Sequence, residues 1–163
     1  MLYAEESFGH YANLYDWTDG NTLPKSVRVP ERITLEEFRT VLERGISSLG
    51  YPVAFSNDSI QFGKLLNKHI EECLIMRNAD HLNDYFSFVF TTRPSGNATI
   101  IGLYRSGMST RNYKSNLQRE RKERGGLLGN IASALTKVDT VGFDEENGYY
   151  EDVAACIREI LGI

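Results

Sequence analysis

Basic residues are concentrated in one short segment of this chain. Between Arg105 and Arg124, seven Lys and Arg residues stand against Glu120 and Glu123, which gives the segment a net charge of +5. The whole chain of 163 residues has a net charge of -4, so the rest of the sequence is strongly acidic. Because cationic side chains bind phosphate and carboxylate groups, this segment is the strongest candidate for binding chemistry.

The basic segment also has helical spacing. We predict a helix that begins at Ser109 or Thr110 and runs to about Arg124. At about 100° per residue, four cations fall within one arc of roughly 100°. These four cations are the candidate residues for binding a nucleic acid or a protein partner: Arg111, Lys114, Arg121 and Lys122. The alternative is a solvated helix in which Glu120 pairs with Arg124, or a face that pairs with acidic parts of the chain.

His69, Cys73 and His81 are the residues whose types suit a metal ion. His69 and Cys73 are four residues apart, so they would share one face only if this segment were helical. We interpret the segment as a strand, and the sequence lacks a second Cys or His pair at zinc spacing. The sequence therefore predicts neither a metal site nor a cofactor.

Patterns typical of catalysis are missing from the sequence. It contains no GxSxG nucleophile motif, and its glycines form neither GxGxxG nor a P-loop. Three histidines in a chain of this length are ordinary. The sequence therefore favours a binding role over an enzymatic one, and an unrecognised hydrolase is the last of the alternatives.

Hydrophobic spacing predicts one helix and several short strands in the first two thirds of the chain. Thr34 and Glu37 form a capping box in front of an apolar stripe, which predicts a helix over residues 34–49. We predict strands at 51–55 and 60–62 with a turn at 57–59 between them, and a further strand at 73–76. The strongest hairpin joins residues 85–92 to residues 98–104 through a turn at 94–97, where Gly96 or Asn97 can take a positive φ.

The last third of the chain reads as mainly helical. A second apolar stripe continues to Lys137, residues 138–143 are a candidate last strand, and residues 144–148 are predicted to turn. A terminal helix carries Val153, Ile157, Ile160 and Leu161. The order predicts an α+β fold: a curved antiparallel sheet of about five or six strands, flanked by an N-terminal helix and C-terminal helices packed mainly on one face.

Residues 1–32 differ in composition from the rest, and we predict that they form an aromatic, acidic N-terminal arm. The single α+β domain then comprises residues 33–163. The arm's candidate partner-binding residues are Tyr11, Tyr15 and Trp17, because Tyr and Trp supply large contact area with few rotatable bonds. The alternative is that these rings pack over an edge of the core.

Composition and charge limit the cellular location that we expect and the kinds of surface the protein can bind. The acidic net charge opposes bulk attraction to nucleic acid or anionic lipid, and no apolar run approaches the roughly 20 residues of a membrane-spanning helix. The start of the sequence lacks a signal-peptide pattern, and Cys73 and Cys156 form no CxxC pair. We therefore expect a cytoplasmic protein that does not engage membranes.

These observations favour a soluble, non-enzymatic protein that acts through surface patches on a protein partner or on a second copy of itself. Two other binding functions remain as alternatives. One is a weak nucleic-acid binder that uses the helix predicted over residues 109–124. The other is a protein that holds a small apolar ligand between the sheet and the C-terminal helices.

Overall fold

Seven strands and two helices form the fold in a computed structural model, which describes residues 1–6, 9–16, 23–64, 66–81, 85–107 and 141–163. The strands are β1 (Leu2–Tyr3), β2 (Leu14–Asp16), β3 (Ser26–Val29), β4 (Val53–Phe62), β5 (His69–Asn78), β6 (Ser87–Ser95) and β7 (Ala98–Ser106). The helices are α1 (Leu35–Ser47) and α2 (Val141–Leu161). The helix predicted over residues 109–124 lies outside the described residues.

The seven strands make one curved, mixed sheet in the order β1-β4-β5-β6-β7-β2, and β3 also pairs with β7. The α+β class and the curved sheet are confirmed. The prediction of a purely antiparallel sheet is wrong in one respect, because β1 runs parallel to β4. Two residues per strand suffice for that pairing, which is too short to leave a periodic pattern in the sequence.

The two ends of the sheet approach each other, so the sheet resembles a nearly closed barrel. Tyr3 of β1 accepts a hydrogen bond from the backbone N–H of Asn13 at 2.9 Å, and its own N–H donates to Oδ1 of Asn13 at 2.7 Å. Asn13 immediately precedes β2, the opposite end of the strand order. Residues 1–32 thus contribute three strands to the sheet: β1, β2 and β3.

Helix α1 begins as the sequence predicts. The Thr34 side chain accepts a hydrogen bond from the Glu37 backbone N–H, and the Glu37 carboxylate accepts one from the Thr34 backbone N–H. Both bonds satisfy N–H groups that a helix start leaves free. The Glu37 carboxylate accepts hydrogen bonds from both the backbone N–H and the hydroxyl of Thr34, and these bonds favour its ionised form, so they lower the pKa of the carboxyl.

The turn predicted at residues 57–59 is wrong, because β4 runs unbroken from Val53 to Phe62. Asn57, Asp58 and Ser59 are typical turn residues, but each pairs with a residue of β5. The Asp58 carboxylate bonds the backbone N–H of Ser59 at 2.7 Å and the N-terminal ammonium at 2.8 Å. Sheet pairing and these bonds outweigh the local preference for a turn.

The predicted hairpin is confirmed as β6 and β7. Its turn is at Gly96 and Asn97, and Gly96 has a φ of 61°, in the region that glycine enters without a Cβ clash. The strands pair from Ser95 and Ala98 to Ser87 and Ser106. β6 begins two residues later than predicted.

Helix α2 replaces two predicted elements. Residues 141–143 are helical rather than part of a last strand, and residues 144–148 are helical rather than a turn. Residues 138–140 lie outside the described part of the chain. The asparagine and glycine that suggested the turn are tolerated inside a helix of 21 residues at a modest loss of helix propensity. The terminal helix itself is confirmed.

The sheet carries a hydrophobic core on each face. The first core lies between the sheet and both helices, and its fully buried residues include Phe38 and Leu42 of α1, Phe90 of β6 and Val153 of α2. The second core covers the other face and is smaller; it includes Ile60, Cys73 and Val89. The described helices therefore pack on one face, as predicted.

Gly102 of β7 makes room for the second core. A Cβ at this position would lie 2.4 Å from Oγ1 of Thr91 and 2.8 Å from Cε2 of Tyr104. Both distances are shorter than van der Waals contact, so only glycine fits without movement. The absent side chain lets the Tyr104 ring pack near Phe62, at a centroid distance of 5.8 Å.

Candidate functional site

Two of the seven predicted site residues lie in the described part of the chain. Tyr11 is 80% exposed, and Tyr15 in β2 is 44% exposed. Trp17 lies outside the described residues. So do the four candidate cations Arg111, Lys114, Arg121 and Lys122.

Tyr15 lies directly opposite Arg105, the first residue of the basic segment, in the pairing of β2 with β7. The Arg105 guanidinium carbon is 5.6 Å from the centre of the Tyr15 ring and 5.0 Å from the centre of the Phe86 ring. Both distances fit cation–π contacts, which contribute about 0.5–2 kcal/mol depending on exposure. The Tyr15 hydroxyl donates a hydrogen bond to the Ala12 carbonyl at 3.0 Å, which orients the ring.

The charge of Arg105 has no carboxylate within 4.0 Å among the described residues. Its Nε is buried and has no hydrogen-bond partner in the part of the chain that the structure describes. An unmade hydrogen bond of this kind costs about 1–3 kcal/mol. We define Tyr15, Arg105 and Phe86 as the Arg105 cluster; it combines an exposed aromatic ring with a cation that the described fold leaves unpaired.

A cleft of about 540 Å³ adjoins the Arg105 cluster. Tyr15 and Arg105 line it together with Lys25, Asp16 and Glu5. Lys25 and Asp16 form an ion pair at 3.1 Å. The volume lies within the roughly 300–1,000 Å³ of ligand pockets, although the cleft is open at the surface.

A second charged group lies where β5 and β6 stop pairing. Their ladder ends at Leu74 and Phe90, and beyond it Arg93 bonds the Glu71 carboxylate through Nε at 2.7 Å. His69 Nε2 contacts the same carboxylate at 2.7 Å. These three residues line a cleft of about 590 Å³ beside the start of α1. Arg93 therefore has a described carboxylate partner, in contrast to Arg105.

The candidate metal ligands do not converge. His69 and Cys73 lie four residues apart along β5, a spacing of about 13 Å at 3.3 Å per residue. Within the described ranges, no three His, Cys, Asp or Glu side chains are placed to hold a metal ion. Cys73 is fully buried in the second core, and burial raises the pKa of its thiol to about 12. A thiol with this pKa is a poor nucleophile at neutral pH.

His81 lies among aromatic rings on the first-core face. Its ring centre is 4.7 Å from that of Tyr85 and 5.0 Å from that of Tyr149, both edge to face. Its Nδ1 and the Tyr149 hydroxyl are buried, and neither has a hydrogen-bond partner among the described residues. Burial lowers the pKa of His81 below its ordinary value of 6.5, against the opposing charge of Glu146.

We expect His81 to make the protein less stable in mild acid. Because its pKa is lower when folded, the unfolded chain binds the proton more readily, so stability is lost as pH falls below about 6.5 toward the folded pKa. The measurement is the free energy of unfolding by urea at pH 7 and pH 5, for the natural chain and for His81→Gln. The loss between the two pH values should be smaller in His81→Gln. Equal losses in both proteins would contradict the assignment.

Within the described residues, neither α1 nor α2 is long and apolar enough to cross a membrane.

Comparison of this chain with protein-family models, with curated proteins and with solved structures gave no match.

Proposed function

We propose that this protein is a non-enzymatic binding protein that engages a protein partner through the Arg105 cluster and the strand β2 beside it. The observation that carries the proposal is the contact between the exposed Tyr15 ring and the Arg105 guanidinium, which has no carboxylate partner among the described residues. Tyr and Arg are the residue types that most often dominate the binding energy of protein interfaces, together with Trp.

The rest of the described surface supports a binding role. In the cleft lined by His69, Glu71 and Arg93, both Arg93 and His69 contact the Glu71 carboxylate, and no nucleophile lies within the contacts described for them. Side chains of the first core fill the space between the sheet and the helices. This filling favours recognition at the surface over an apolar ligand held beneath the helices.

Site-specific photo-crosslinking in the cells of origin tests this proposal. Tyr15 is replaced by the photoreactive residue p-benzoylphenylalanine, and Val41 on the outer face of α1 is replaced in the same way as the control. The two positions are matched in exposure, at 44% and 43%. We expect a protein adduct at position 15 and none at position 41. The adduct mass distinguishes a different partner from a second copy of this chain.

Two results would contradict the proposal. One is the absence of any adduct at position 15, and the other is an equal yield of the same adducts at both positions. The second result would mean that the reagent captures bystanders on any exposed surface.

The charge segregation of the sequence supports a second candidate, a nucleic-acid binder that uses Arg111, Lys114, Arg121 and Lys122. Phosphate contacts release counterions, so such binding is strongest at low salt and weakens as salt rises. Titration of a labelled oligonucleotide at increasing salt tests this candidate. Absence of binding at low salt would exclude it.

A further inference from the structure

Arg105 differs from Arg93 and Arg39 in the groups that its guanidinium contacts. Arg93 bonds Glu71 at 2.7 Å and Arg39 bonds Glu43 at 2.9 Å. Arg105 is half-buried like a structural arginine, yet in the described part of the chain it has aromatic neighbours in place of a carboxylate. Arginine is always charged in proteins, and a partly buried charge without a counter-charge is unfavourable.

In the described part of the chain, no hydrogen-bond acceptor occupies the donors of Arg105. Tyr15 approaches it from β2 and Phe86 from the residue before β6, and β2 and β6 are two of the three strands that pair with β7. All guanidinium N–H groups lie in the plane of the group, whereas cation–π contacts use its charge. Of the three nitrogens, Nε is enclosed and lacks a described acceptor. The aromatic contacts hold the side chain in place without filling its donors.

We propose that Arg105 binds a carboxylate of the partner protein, so that an acidic segment of the partner lies along β2 with its apolar atoms against Tyr15. This inference rests on the proposed function and names the chemistry of the partner. The planar fork of arginine matches the two oxygens of a carboxylate, and such bidentate pairs are among the stronger hydrogen-bonded contacts in proteins.

The surrounding charges favour a carboxylate over a run of phosphates. Asp16 and Glu5 line the adjoining cleft, where Lys25 balances the Asp16 charge and Arg93 is bonded to Glu71. Arg105 then supplies one positive charge without a described counter-charge, and a single carboxylate balances it. A nucleic-acid strand would bring repeated phosphates close to Asp16 and Glu5, where like charges repel. The acidic net charge of the whole chain adds to that repulsion.

The test follows the Arg105 Nε–H signal in nitrogen-15 NMR spectra of the purified full chain. The probe is an acetylated, amidated tetraglutamate peptide, compared with the tetraglutamine peptide and with inorganic phosphate at equal ionic strength. The signal is assigned by its loss in Arg105→Gln. We expect a saturable shift with tetraglutamate and none with tetraglutamine.

Variants separate this site from general charge attraction. In the Arg105 variants binding is followed by the backbone amide signals of the chain, because the Arg105 Nε–H is absent. Arg105→Gln should weaken tetraglutamate binding at least tenfold, and Arg105→Lys should weaken it as well because lysine lacks the planar fork. Arg28→Gln, which removes an exposed arginine of β3, should leave binding unchanged. Spectra of each variant verify that it is folded.

Three results would overturn the inference: no shift with tetraglutamate, an equal shift with phosphate, or equal binding by Arg105→Gln. If a partner crosslinks at position 15 while Arg105 does not respond to the peptide, the protein-partner function stands and the carboxylate assignment fails. If Arg105 binds the peptide but no partner crosslinks, the carboxylate site stands and the proposed function fails.

Discussion

Replacing Phe90 by alanine is expected to lower the free energy of unfolding by about 3–5 kcal/mol. Phe90 is fully buried in the first core, and its ring meets that of Phe38 edge to face at 5.4 Å. This contact connects α1 to the middle of the sheet, between the partners Leu74 on β5 and Leu103 on β7. Removing the ring loses its burial and leaves a cavity that neighbouring strands cannot close.

Urea denaturation of the natural chain and of Phe90→Ala measures this loss. Leu66→Ala is the matched control, because it removes a large apolar side chain that is 94% exposed and should change stability by less than about 0.5 kcal/mol. If Phe90→Ala lowers the free energy of unfolding by less than about 1 kcal/mol, α1 does not pack against the sheet through Phe90. Because a domain typically has 5–15 kcal/mol of stability, the variant should still fold at low temperature.

Local elements of this fold could be predicted from the sequence, and long-range pairings could not. The capping box at Thr34 and the turn at Gly96 each depend on a few adjacent residues, so their signals are complete in the sequence. The strand β4 is different, because Asn57 and Asp58 favour a turn until β5 pairs with them. The parallel pairing of β1 with β4 joins segments almost 60 residues apart and leaves no periodic trace.

The candidate site was likewise predictable from the sequence only in its local features. The aromatic spacing singled out Tyr15, and the charge count singled out the segment that begins at Arg105. Their contact across 90 residues depends on the register of β2 against β7, which no local pattern encodes. Nor does the sequence indicate that Arg105 has no carboxylate partner within the described fold while Arg93 has Glu71. That difference follows from which side chains the curved sheet brings together.

Replacing Tyr15 by alanine is expected to cost at least about 2 kcal/mol of binding free energy with the partner, which is a roughly 30-fold weaker affinity. The ring supplies exposed apolar area and also holds the Arg105 guanidinium in place. Tyr15→Phe keeps the ring and loses only the hydroxyl bond to Ala12, so it should bind nearly as well as the natural chain. Comparison of the two variants separates the contribution of the Tyr15 ring to binding from that of its hydroxyl.

The most direct measurement is the dissociation constant of the partner that crosslinks at position 15, determined by calorimetry for the natural chain, Tyr15→Ala and Val41→Ala. A roughly 30-fold or greater weakening in Tyr15→Ala, with Val41→Ala unchanged, is the result expected if the partner binds at β2 and the Arg105 cluster. Equal affinities for the natural chain and a folded Tyr15→Ala variant would contradict that surface as the place of recognition.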